Sequence, residues 1–299
     1  MKYNLITILG PTAAGKTRLA ALLADKFNGE IISADSRQVY KRMNLGTGKD
    51  YADYQVNGRT VPYHLIDIAE PSDEFNLFRF KEQFHSAFDE ITTRGKVPFL
   101  AGGTGMYINS VVSNYKLGKT DADEETIERL NSKTAEELRD ILLGIAPGQH
   151  NRTDLEIKER IIRAIIVAQS RDNAPEFGEI SSLNIGVNFP REVIKERITN
   201  RLKERLNEGM IEEVEGLINE GITFEKLSFF GLEYKFVGLY LKGEINRNDM
   251  FQKLNSAIHA FAKRQMTWYR KMEKEGVIIR WIEGADFEAA GKIIESNYF

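Results

Sequence analysis

The sequence predicts an α/β fold, a parallel sheet flanked by helices and interrupted by a small all-helical insertion. Three observations predict it. Short apolar runs at residues 3–9, 30–34, 63–68, 97–101, 183–189 and 277–281 alternate with longer stretches of helical periodicity. The first run leads into Gly10-Pro11-Thr12-Ala13-Ala14-Gly15-Lys16-Thr17, which fills every required position of G-x-x-x-x-G-K-[ST]; Leu19, Leu22, Leu23 and Phe27 then recur at helical spacing. From Leu117 the chain turns to charged helical patterns with few aromatics. A core of residues 1–116 and 178–299 with an insertion at 117–177 is therefore expected.

Each element follows from its residues. Tyr3 to Leu9 suits a buried strand, and Gly29 separates the first helix from a second strand, Glu30 to Ala34, that ends at Asp35-Ser36. Arg37 to Asp50 is polar and holds Gly46 and Gly48, so it reads as an exposed functional loop. Tyr63 to Ile68 is a third strand. Leu77, Phe80, Phe84, Phe88 and Ile91 mark the core face of a long helix that Asn76 caps and Gly95 ends. Val97 to Ala101 then runs into Gly102-Gly103-Thr104-Gly105. Helical patterns surround Ile127 to Leu130, Leu138 to Leu143 and Ile157 to Val167, closing in a turn over 172–178. A strand at Leu183 to Phe189 is stopped by Pro190. Helices at 192–207 and 211–219, a basic aromatic helix around Ala262 to Lys271, and a last strand at Val277 to Trp281 complete the chain.

Composition narrows the chemistry. With 42% hydrophobic and 28% charged residues the 299-residue chain is an ordinary globular protein, and its formal charge of -3 gives no global attraction to nucleic acid. Any such binding must come from local patches. The absence of cysteine excludes disulfides, thiolate zinc sites and a cysteine nucleophile, and suits the cytoplasm. His64, His85, His150 and His259 are dispersed and form no metal motif. No stretch approaches the ~20 apolar residues of a membrane span, so no membrane partner is expected.

Three places carry chemistry. In the Gly10 to Thr17 loop the backbone N–H groups and the following helix N-terminus attract phosphate, Lys16 adds a point charge, and the Thr17 hydroxyl can hold Mg²⁺. Asp35 and Thr104 lie just past the carboxyl ends of parallel strands, on the rim that faces this loop. Basic residues cluster in two helical segments: Lys158, Arg160 and Arg163, flanked by Arg152 and Arg171, and then Lys263, Arg264, Arg270, Lys271 and Lys274 with Trp268 and Tyr269. A solvated face and a phosphate-backbone contact fit the first of these equally, whereas in the second Trp268 and Tyr269 more commonly anchor the helix in the core, although the mixture of bases and aromatics also suits a nucleic-acid groove. The loop and Asp35 alone suit a small-molecule kinase that binds ATP, a transferase whose leaving group is a diphosphate, or a nucleotide-driven switch.

The chain resembles the tRNA dimethylallyltransferases, also called tRNA isopentenyltransferases. The resemblance is carried by the phosphate loop, Asp35-Ser36-Arg37-Gln38-Val39-Tyr40, Leu45-Gly46-Thr47-Gly48-Lys49, Gly102-Gly103-Thr104, Arg160-Ile161-Ile162-Arg163-Ala164 and Lys263-Arg264-Gln265-Met266-Thr267-Trp268, all in order. It implies a P-loop NTPase-like core that does not hydrolyse ATP, and transfer of a dimethylallyl group from dimethylallyl diphosphate to N6 of the adenosine 3′ of certain anticodons, with Mg²⁺. It implies that Gly10, Pro11, Thr12, Ala13, Ala14, Gly15, Lys16 and Thr17 grip the diphosphate, that Thr17 serves the metal, and that Asp35, Thr104 and Lys16 are catalytic. Contacts to the anticodon stem-loop are expected from Asp35, Ser36, Arg37, Gln38, Thr104, Glu159, Arg160, Arg163, Lys263, Arg264 and Gln265, in a monomer. One segment departs: where many members have Gly-Tyr and then Arg or Lys, this chain has Gly231-Leu232-Glu233-Tyr234-Lys235. Either Lys235 substitutes after a small backbone shift, or a phosphate contact is lost.

Overall fold

The computed structural model describes residues 2–118, 124–146, 157–170 and 175–299. Arg152, Arg171, His150 and the first part of the 172–178 turn lie outside them. The chain divides into two compact units, residues 1–114 with 179–299, and residues 115–178.

In the larger unit β1 (Leu5–Leu9) runs through the phosphate loop into α1 (Lys16–Lys26) and then β2 (Gly29–Ala34). A hairpin of β3 (Gln55–Val56) and β4 (Arg59–Thr60) follows, turned by Asn57 and Gly58, both at positive φ as its two-residue turn requires. Next come β5 (Tyr63–His64), α2 (Leu77–Thr93), β6 (Val97–Gly102) and α3 (Gly105–Val112). The smaller unit supplies α4 (Glu124–Asn131), α5 (Ala135–Ile145) and α6 (Lys158–Gln169). The larger unit resumes with β7 (Ser182–Asn188), α7 (Arg191–Asn207), α8 (Met210–Asn219), α9 (Phe224–Phe230), α10 (Leu232–Leu241), α11 (Arg247–Lys274), β8 (Ile279–Glu283) and α12 (Phe287–Asn297).

Six strands form one parallel sheet in the order β5-β2-β6-β1-β7-β8. Helices cover it, so β1 and β2 are buried along their whole length, as continuous apolar runs in parallel sheets require. Along α2, Phe80, Phe84, Phe88 and Ile91 are buried, and the Asn76 side chain accepts the Arg79 N–H at 2.9 Å. The smaller unit has its own core of Leu130, Leu138, Leu142, Ile161, Ile162 and Ile165, and a capping box between Thr134 and Glu137 starts α5.

Three expectations are corrected. The third strand stops at His64, because Leu65 and Asp67 take left-handed φ values of 63° and 55° that no strand accommodates. The last strand begins at Ile279, since the Val277 N–H still bonds the Met272 carbonyl at the end of α11. The 37–50 segment is not an exposed loop. Val39, Tyr40, Met43 and Lys49 are buried, and the Lys49 ammonium pairs with Asp67 at 2.5 Å and with the Tyr40 carbonyl.

Candidate active site

The carboxyl ends of β1, β2 and β6 open onto one cavity of about 430 Å³, lined by the phosphate loop, Asp35, Gln38, Gly102 and Gly103. Gly15 has φ of 73° and starts α1, so the loop turns sharply into the helix and aims its first N–H groups at the cavity. Lys16 and Thr17 line the same space. Desolvation, reinforced by Arg201 and opposed by Asp35, lowers the Lys16 pKa to about 8. Its Nζ donates to the Pro11 carbonyl at 3.1 Å.

The rim opposite is tightly tied. Asp35 Oδ1 accepts the Arg37 N–H at 2.9 Å, and Thr104 Oγ1 accepts the Ser36 N–H at 3.0 Å. A Cβ on Gly102 would lie 2.3 Å from the Ala34 carbonyl oxygen, so glycine alone permits the approach of these two strand ends. Gln38 is committed within the protein. Its Nε2 donates to the Gly48 carbonyl at 2.9 Å and its Oε1 accepts from Ser33 at 3.3 Å.

Gln265 is buried, unlike its neighbours Lys263 and Arg264, which are exposed. Its Oε1 accepts the Thr12 N–H at 2.8 Å and its Nε2 donates to the Gly103 carbonyl at 2.8 Å, so one amide joins the phosphate loop to the turn after β6. Tyr269, one helical turn on, donates to the Gly10 carbonyl at 3.1 Å. Arg37 is half-buried with its guanidinium 5.1 Å from the centre of the Phe229 ring. Glu159, Arg160 and Arg163 are exposed on α6, in the other unit.

Sequence reasoning missed a cationic wall on α7. Arg197 Nε donates to the Ala13 carbonyl at 2.7 Å, Arg201 donates to the Thr12 hydroxyl, and Arg205 is 3.3 Å from Asp50. Burial, together with repulsion from Arg205, lowers the Arg201 pKa to about 10. The spacing of four puts all three on one helix face, a pattern that a solvated helix shows equally. Lys16 and Arg201 crowd one polar space without full compensation, and a polyanion would relieve both.

The departing segment is also placed. Gly231, at φ of 138°, breaks α9 from α10. Lys235 is exposed over the Phe236 ring, whereas Glu233 is half-buried within electrostatic reach of Arg205 and Arg201, and desolvation raises its pKa. Glu213 fastens the 44–46 turn: its carboxylate accepts the N–H groups of Asn44, Leu45 and Gly46 at 2.7 to 3.1 Å, and the Tyr234 hydroxyl at 2.7 Å.

Among the described residues no three His, Cys, Asp or Glu side chains gather into a ready metal cluster. The donors fit Mg²⁺ nonetheless. That ion keeps much of its water and takes one or two protein oxygens with substrate phosphates, and Thr17 and Asp35 line one cavity. No helix among the described residues is long and apolar enough to cross a membrane.

Comparison with known proteins gives one consistent answer. The family model described as IPP transferase matches residues 38–272. The tRNA dimethylallyltransferase 2 of Trichlorobacter lovleyi is 49% identical over 302 residues, covering 99% of this chain and 97% of its own. The crystal structure of the full-length tRNA isopentenylpyrophosphate transferase of Bacillus halodurans superposes with a TM-score of 0.70 at 34% identity, over 99% of this chain and 95% of that one. A eukaryotic dimethylallyltransferase acting on tRNA shares the fold, with a TM-score of 0.80 at 21% identity over 98% of this chain and 79% of its own. By the span and identity of these matches, the chain belongs to the IPP transferase family, the tRNA dimethylallyltransferases.

Proposed function

We propose that this enzyme transfers the dimethylallyl group of dimethylallyl diphosphate to N6 of the adenosine 3′-adjacent to the anticodon of tRNA, releasing diphosphate. The observation that carries the reading is a carboxylate, Asp35, facing a cationic phosphate cradle across one cavity. In the reaction the bond from the allylic carbon to the diphosphate oxygen breaks, a carbon to N6 bond forms, and the N6 proton passes to Asp35. The exocyclic amine is a poor nucleophile because its lone pair is conjugated with the ring. A positioned base therefore accounts for about 10²- to 10⁴-fold of the rate.

The leaving group is held by the loop N–H groups, Lys16, Arg197 and Arg201, which oppose the charge that develops as the bond breaks. When bound, Mg²⁺ would add neutralising charge to the diphosphate beside Thr17. Thr104, tied to Ser36, holds the rim against which the target nucleotide sits. The base must leave its stack to reach the cavity, and Ser36 and Arg37 directly follow Asp35, which lines it. Exposed Lys263 and Arg264 on α11, and Glu159, Arg160 and Arg163 on α6, serve the anticodon stem-loop. The enzyme works as a cytoplasmic monomer, one cavity for one RNA. The kinase alternative draws no support from the relatives.

Incubation with unmodified tRNA and dimethylallyl diphosphate, followed by nucleoside mass analysis, tests the reading. Prenylated adenosine is expected, and Asp35→Ala should cut single-turnover transfer by at least ~10²-fold while tRNA still binds. Unaltered adenosine with the native protein would sink the activity, and near-native turnover of the variant would remove Asp35 as the base.

A further inference from the structure

Phe229 is an aromatic ring that the fold leaves outside its core. It is the penultimate residue of α9 and is 45% exposed, although Phe230 beside it is buried. Tyr40 and Phe230 meet it nearly perpendicularly, at 75° and 74° with centroids 6.4 and 5.7 Å away, so the ring is braced. The Arg37 guanidinium lies 5.1 Å and the Lys226 ammonium 5.5 Å from its centre. Arg37 is also the residue whose N–H bonds Asp35. The exposed ring is therefore one arginine side chain away from the candidate base.

We propose that Phe229 is a stacking platform for a nucleobase adjoining the target adenosine in the anticodon loop, with Arg37 and Lys226 taking the phosphates on either side. The proposal rests on the RNA-alkylating reading above. When the target base leaves its stack, its neighbour loses cover on one face. A braced, exposed ring one arginine away from Asp35 restores that cover without reading sequence, because every base has a π-face. Both cations contribute twice, by polarising against the ring and by neutralising the RNA backbone. A phenylalanine exposed only by chance would have no call on two cations and two perpendicular aromatic neighbours.

The experiment uses the full chain and an anticodon stem-loop carrying 2-aminopurine next to the target adenosine. Binding by the native enzyme should place the fluorophore on the ring and quench it. Phe229→Ala should abolish that quenching and weaken stem-loop affinity by ~10-fold or more, while dimethylallyl diphosphate binds as before. Phe229→Trp should restore both signals, and Phe229→Leu, which keeps apolar bulk without a π-face, should not. Equal quenching by the native and Ala proteins, or full rescue by Leu, overturns the platform. Product formation by the native enzyme in that same experiment leaves the transferase reading standing. If the native enzyme neither binds the stem-loop nor prenylates it, both fall.

Discussion

Lys16 keeps an ammonium group in surroundings that disfavour it, with its pKa pulled from 10.5 to about 8. Between those values the unfolded chain binds a proton that the folded chain does not, so stability rises with pH across the window. The cost of the desolvated charge is fully present below about pH 8 and fades toward 10.5. Bound diphosphate reverses the preference and holds the proton. Affinity for dimethylallyl diphosphate should therefore fall as pH rises through 8, by up to about tenfold per unit, with proton uptake measurable by titration calorimetry in buffers of different ionisation enthalpy. Lys16→Met should flatten that profile and raise the melting temperature of the unliganded protein. Arg201→Ala removes a charge-assisted donor and should weaken diphosphate binding by about 10- to 100-fold. Lys16, Thr17, Asp35 and Thr104 were legible because they sit in, or just after, glycine-bounded strand ends. Arg197, Arg201 and Arg205 were not, since arginines at every fourth position look the same on a solvated helix as on a helix lining a cavity.

At the scale of elements, α6 and α11 show how one helix serves two surroundings. On α6, Ile161, Ile162 and Ile165 fill the small core while Arg160 and Arg163 point outward. If that outward face contacts RNA phosphates, replacing both arginines by alanine should lower the slope of log affinity against log salt by up to about one unit per lost contact. An unchanged slope would mean the face is only solvated. On α11, Gln265 and Tyr269 turn inward to the loop while Lys263 and Arg264 face solvent. The helices were legible from periodicity, but which polar residue turns inward was not, because Gln265 is buried only through partners in distant segments. The third strand was overestimated for a related reason. Its apolar residues continue past His64, yet Asp67 is drawn out of the strand to meet Lys49 and the Tyr51 hydroxyl.

For the whole molecule, the smaller unit leaves and returns through one clasp. Asn114 donates from Nδ2 to the Ile180 carbonyl and accepts the Ile180 N–H at Oδ1, both at 2.9 Å. The ends of the larger unit are thus held together without the insertion. Replacing residues 116–178 by a short Gly-Ser link should leave a cooperatively folding core that still binds dimethylallyl diphosphate. Loss of a cooperative melt would refute its independence. The alternation of strands and helices predicts a parallel sheet, but the order β5-β2-β6-β1-β7-β8 is not legible in it. Strand order depends on which helix packs on which face, and apolar runs buried on both faces carry no mark of their neighbours.

The amide of Gln265 has a consequence for how the protein is made. Thr12 leaves the ribosome long before its partner, which is 253 positions later. The central strand likewise waits for Ser182–Asn188 to cover one of its edges. Such distant pairings close slowly. A nascent chain therefore carries an unfinished phosphate cradle until Gln265 has been synthesised. Competence to hold the allylic substrate arrives only with α11, and a product truncated before Gln265 also lacks β8, so it should expose the outer edge of β7 to aggregation rather than retain partial activity.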